Sequence, residues 1–159
     1  MGCNIFDLLA QDIINTPNFE QALHQLYVNS PYLISLLVNA LSKWGASRSC
    51  CQTMNSVANH IVNSEKSNKN KLSHFNQREI SSLVNGFSKQ PHGKQCQRVL
   101  EDFARHVQQL AQQALGLNGF NGQDIANLVN GLSKHPQNAV CTQALERLAC
   151  HVLLLEKQT

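Results

Sequence analysis

Asn39, Ser42 and Lys43 recur as Asn85, Ser88 and Lys89, and again as Asn130, Ser133 and Lys134. An amide, a hydroxyl and an ammonium at fixed spacing, in triplicate, are groups for recognition rather than for bond breaking. The amide can pair with a peptide backbone or a base edge, and the lysine can meet a carboxylate or a phosphate. On a helical wheel with Ile34 at zero, Ser42, Asn39 and Lys43 fall at about 80°, 140° and 180°, away from the apolar stripe. These nine residues are therefore the predicted ligand-binding ladder. The structural alternative is that each Asn bonds a neighbouring unit and each Lys complements a helix C-terminus. Either way the repetition needs a cause, because Asn is a poor residue for a helix interior.

Two other reactive residue types keep the same rhythm. Cys50, Cys96 and Cys141 are followed ten residues later by His60, His106 and His151. Ten residues along one helix is about 15 Å, too far for both side chains to hold one ion. No metal or other cofactor is expected. The cysteines fall on an apolar stripe where a small side chain fits, with no His and acid placed to activate a nucleophile. Each His is read as half-buried against the adjacent unit. Cys51 and Cys150 fall off the rhythm and read as thiols near the surface. No Gly-rich phosphate loop, GxSxG or HExxH is present, so the chain reads as a non-enzyme.

The segments around these positions, Ile34 to Trp44 (ISLLVNALSKW), Ile80 to Pro91 (ISSLVNGFSKQP) and Ile125 to Pro136 (IANLVNGLSKHP), align, with Ala58, Ala104 and Ala149 in register behind them. A period near 45 residues is the length of a two-helix repeat. In the second copy Ile80, Leu83, Val84 and Phe87 lie at i, i+3, i+4 and i+7, the stripe of an amphipathic helix. Asn76 with Glu79 and Asn121 with Asp124 approximate capping boxes, and Phe75 and Phe120 stand where a hydrophobic staple needs them. The first copy uses Ser30 as cap and Pro31 at the first helical position. Lys43, Lys89 and Lys134 mark the last turn, followed by Gly45, Pro91 and Pro136. From each cysteine onward a second stripe begins, as in Cys96, Val99, Leu100, Phe103, Ala104 and Val107.

The fold class expected is all-α: an α-solenoid of stacked two-helix units over 29–73, 74–119 and 120–159, behind a degenerate helical cap over 1–28, all in one domain. Ser64 to Ser73 and Gly116 to Gly122 read as inter-repeat loops.

The Ser-Lys-Trp-Gly, Ser-Lys-Gln-Pro and Ser-Lys-His-Pro tetrapeptides, each preceded by Leu-Val-Asn-Ala/Gly-Leu/Phe, resemble the SKWP-type helical repeats of effector proteins that pathogenic bacteria inject into host cells. More loosely they are similar to octotricopeptide RNA-binding repeats. The resemblance spans about residues 29 to 155, with the tryptophan kept only as Trp44. It implies a bacterial effector module, delivered to the host cytosol, that binds a host protein or peptide. RNA is the alternative partner.

The composition bounds these readings. Charged residues are 14% of 159, while there are 17 Asn and 16 Gln, so much of the polar surface is uncharged amide. Residues 1–42 carry −3, residues 43–105 carry +6, and the remainder is neutral. That middle charge suits weak phosphate attraction and falls short of a dedicated DNA binder. With aromatic residues at 6%, an RNA-stacking platform has little to build on. No apolar run approaches the ~18 residues of a membrane span. The reduced-thiol reading of the cysteines fits a cytosolic protein. Leu153 and Leu154 replace Gln108 and Gln109 of the preceding unit, which points to a homodimer through the C-terminal helix or to a truncated array.

Overall fold

In the computed structural model, residues 5–44, 47–66, 71–90, 93–113 and 116–156 are described. They form α1 (Ile5–Asn15), α2 (Phe19–Asn29), α3 (Pro31–Ser42), α4 (Arg48–Lys66), α5 (Gln77–Phe87), α6 (Lys94–Ala111), α7 (Gly122–Leu132) and α8 (Ala139–Glu156), with a 3-10 turn at Lys71–His74. The fold is all-helical, and there is no strand among the described residues. No helix among them is long and apolar enough to cross a membrane.

The local signals act where the sequence places them. Asn76 Oδ1 accepts from the Glu79 amide at 3.0 Å, and Glu79 Oε2 accepts from the Asn76 amide at 2.9 Å. Asn121 and Asp124 repeat this box at 2.9 and 3.1 Å. Each box satisfies backbone donors that the first turn leaves without partners. Ser30 is the cap residue of α3 but makes no side-chain cap bond; Pro31 at the first position does the pre-ordering. Between α1 and α2 the chain turns at Thr16-Pro17-Asn18, with Asn18 in the left-handed region at φ 63°, a conformation Asn tolerates better than most residues.

The helices pack as two series. α3 lies on α5 and α5 on α7, while α4 lies on α6 and α6 on α8. The two series join through α3 with α4, α5 with α6 and α7 with α8. α1 extends the second series by packing on α4, where Thr53 Oγ1 donates to the Ala10 carbonyl at 3.1 Å and Ser47 donates to Asp7. α2 rests against α3 and α4. The core runs through both series: Val38, Val84, Leu83, Phe87, Val57, Phe103, Val107 and Leu148 are buried. Tyr27, Phe75 and Phe103 form an edge-to-face chain with centroids 5.7 and 6.0 Å apart, tying α2 to the second unit.

Close approach within the first series rests on glycine. A Cβ built at Gly86 would stand 2.6 Å from Val38 Cγ1, and one at Gly131 would stand 2.8 Å from Val84 Cγ1 and 3.0 Å from the Val84 carbonyl oxygen. Val38 and Val84 thus seat on Gly86 and Gly131, the glycines that follow the Asn in the next unit.

Two boundary expectations are corrected. Ser64 to Ser73 is not wholly a loop: α4 continues to Lys66 and a 3-10 turn forms at Lys71–His74, while residues 67–70 lie outside the described residues. The lysines stand just past the helices rather than within their last turns, since α3, α5 and α7 end at Ser42, Phe87 and Leu132. Gly45 and Pro91, predicted to mark helix ends, lie outside the described residues.

Candidate functional site

The C-terminal ends of α3, α5 and α7 carry the predicted ladder. The Asn row exists at its second and third members: Asn130 Nδ2 donates to Asn85 Oδ1 at 2.8 Å. Asn39 and Asn85 are half-buried, and Asn130 is exposed. An amide pair leaves one Asn130 oxygen and one Asn85 amino group to face other partners, so the pair both ties two units and retains hydrogen-bonding capacity.

The serine row behaves differently. Each Ser Oγ donates to the carbonyl three residues back, at 2.9 Å from Ser42 to Asn39, 2.9 Å from Ser88 to Asn85 and 3.3 Å from Ser133 to Asn130. Ser42 and Ser88 are buried and only Ser133 is exposed. Ser42 points away from its own unit's apolar stripe, as the wheel has it, yet both it and Ser88 are covered rather than open to a ligand. A wheel locates the side of a helix facing its own partner, whereas these serines face the following unit, which a single-helix projection cannot contain.

The lysines line one edge. Lys43 and Lys134 are exposed, and Lys89 is half-buried with its Nζ donating to Ser42 Oγ at 3.4 Å. Partial burial lowers the Lys134 pKa, and the nearby Lys89 charge lowers it further. Beside them His135 Nε2 lies 3.3 Å from the Ser88 carbonyl oxygen. Lys134 and His135 also border a shallow cavity of about 330 Å3 with Gln97, Leu100, Pro136 and Asn138. Asn138 caps α8, accepting from the Val140 and Cys141 amides at 3.0 and 3.2 Å, and donates to Glu101 at 2.8 Å. Sequence reasoning missed Gln97 and Asn138, because neither belongs to the shared positions. The only available signal was Asn138 standing three residues before the third cysteine, a cap position.

The remaining candidates are packing groups. Cys50, Cys96 and Cys141 are buried, and burial pushes the Cys96 thiol up to about 12 and the Cys141 thiol up to about 11. Thiols held protonated this far above neutrality are weak nucleophiles. Cys51 is raised first by burial and then by Cys50, and its Sγ donates to Gln90 Oε1 at 3.0 Å; Cys150 is exposed. His60 Nδ1 lies 3.5 Å from Glu20 Oε2 on α2, flanked by the rings of His24 and Tyr27. Its pKa is lowered, burial outweighing the Glu20 charge, and burial alone lowers that of His106. Among the described residues no three His, Cys, Asp or Glu side chains converge to hold a metal ion.

Compared with known proteins, the chain matches no family model, no curated protein and no solved structure.

Proposed function

We propose that the protein is a non-enzymatic α-solenoid scaffold, a module of a bacterial effector acting in the host cytosol, that binds a host protein or peptide along the C-terminal ends of α3, α5 and α7. The ligand contacted there is an acidic extended segment. Lys43, Lys89 and Lys134 supply the charge, Asn85 and Asn130 supply amide groups for its backbone, and Ser133 supplies a hydroxyl. Ser42 and Ser88 act by positioning the row from beneath. The observation carrying this reading is the Asn85–Asn130 hydrogen bond at 2.8 Å beside the Lys89 and Lys134 pair, a repeated polar edge continued from unit to unit. The effector assignment rests on the Ser-Lys-Trp/Gln/His tetrapeptides and their resemblance to SKWP-type repeats.

The test is fluorescence anisotropy with labelled peptide pools of acidic or neutral composition and with unstructured generic RNA, read against salt. The acidic pool should bind and be lost from the Lys43→Gln/Lys89→Gln/Lys134→Gln variant, whose melting temperature should match the parent because its lysines are exposed or half-buried. Binding of neither pool, or acidic binding untouched by the triple variant, overturns the reading. RNA binding that falls steeply with salt and vanishes in the triple variant would instead establish the RNA-binding alternative.

A further inference from the structure

In addition to the polar edge, the protein carries a second surface defined by its own repeats. The side of each unit that meets the next one is built from equivalent positions. On α3 and α4 these are Ser35, Val38, Ser42, Ala58, Ile61 and Val62, all buried. On α5 and α6 Ser81, Val84, Ser88, Ala104 and Val107 are buried, and Gln108 reaches across to donate to the Val140 carbonyl at 2.8 Å. On α7 and α8 the same positions are Ala126, Val129, Ser133, Ala149, Val152 and Leu153, and every one is exposed. Val38 and Val84 are 0% exposed, Val129 is 42% and Leu153 is 57%. Two positions that are polar in the second unit, Ser81 and Gln108, have become Ala126 and Leu153 on this bare side.

The opposite side of the molecule is bare in a matching way. Ala40 on α3 holds the slot of Gly86 and Gly131, the two glycines buried beneath the valine of the preceding unit, and Ala40 is exposed. Leu36, one turn earlier, replaces the half-buried Ser82 and Asn127 and is also exposed. In the second series, Ile5, Leu8 and Leu9 of α1 are exposed on the side of that helix opposite Ala10, which is buried where α1 meets α4.

We infer that two copies of this chain stack head to tail, the bare side of α7 and α8 in one copy seating on the exposed side of α3 and α1 in the next. The contact continues the interface that already joins α3 to α5 to α7 and α4 to α6 to α8. Val129 takes Ala40 as Val84 takes Gly131, and Val152 and Leu153 meet the α1 leucines. Because a methyl at the glycine slot would stand 2.6 Å from the seated valine, the copies must sit slightly farther apart than the units do. The contact is therefore looser than its intrachain counterpart and depends on concentration. The two surfaces differ, so the association is heterologous and open-ended rather than a closed pair.

Sedimentation velocity over a dilution series of the 159-residue chain tests this with two variants whose substituted residues are all exposed: Val129→Lys/Leu153→Lys on one side and Leu9→Lys/Leu36→Lys on the other. The parent should grow beyond a dimer with concentration, and each variant alone should stay monomeric. Their equimolar mixture should form a dimer and nothing larger, because each retains the surface the other lacks. The corresponding Gln variants repeat the test if a Lys variant melts below the parent. A parent that stays monomeric throughout, a Leu9→Lys/Leu36→Lys variant that still dimerises alone, or a mixture that fails to pair would each overturn the proposal.

Discussion

Val84 and Val129 are the same residue in the same slot of consecutive units, yet one is sealed beneath Gly131 and the other stands 42% exposed. The contrast extends across the helix pair, from Ala104 and Ala149 to Ser88 and Ser133. Sequence identity at a repeated position therefore specifies a side of a unit, and the presence of the next unit decides whether that side is core or surface. The Leu-Val-Asn-Gly signature is first of all a device for stacking: valine and glycine set the close approach, serine satisfies its own helix, and the asparagine joins neighbouring units at the margin.

Ala104→Glu places a carboxylate in a fully buried slot without a partner, and should cost about 3–5 kcal/mol in urea unfolding. Ala149→Glu, at the equivalent exposed slot, should stay within about 0.5 kcal/mol of the parent. Similar losses at both positions would mean that the α7 and α8 side is covered within the chain itself.

Val84→Ala removes two methyl groups from a closed seam and should cost about 2 kcal/mol with its cavity, whereas Val129→Ala should cost less than about 0.5 kcal/mol. Between them falls the glycine side of the seam. Gly131→Ala forces a methyl against Val84 and should destabilise by about 1–2 kcal/mol despite the better helix propensity of alanine. Gly122→Ala meets nothing within 4 Å and should stabilise by up to about 1 kcal/mol.

Much of this was legible in the chain. The helices, their caps and the apolar stripes follow from periods and residue types, because such signals act within a few residues; Asn76 with Glu79 and Asn121 with Asp124 close their boxes as spaced. The register of the Asn row could be read for the same reason, since identical units place identical residues at equivalent points. The burial of Ser42 and Ser88 is not legible in the same way, because it is made by a helix about 45 residues away, outside any single-helix projection. The glycine seam carries no local signal: Ala40, Gly86 and Gly131 read as simple variation at one position, and only the packing of Val38 and Val84 against the two glycines gives it meaning. Likewise, residues 5–15 carry no Leu-Val-Asn signature, so the packing of α1 on α4 in line with the second series has no counterpart in the repeat pattern.

His60 and His106 are held below the ordinary 6.5 chiefly by burial, so the folded chain keeps them neutral while the unfolded chain takes up protons. Their contribution is present above pH 6.5 and is lost as pH falls from there through the lowered folded values. The melting temperature should fall over that interval, and more steeply in the parent than in a His60→Gln/His106→Gln variant. Parallel slopes would remove these two groups from the account.

The most direct test of the repeated face as a stacking surface alkylates the Ser42→Cys, Ser88→Cys and Ser133→Cys variants in dilute native protein, with peptide mass mapping to tell the new thiol from the six native cysteines. Cysteine at 133 should label at the rate of an exposed thiol, while cysteines at 42 and 88 should stay protected until the chain is unfolded. Equal, rapid labelling at all three would contradict the account, because it would make the serine row an open surface in all three units.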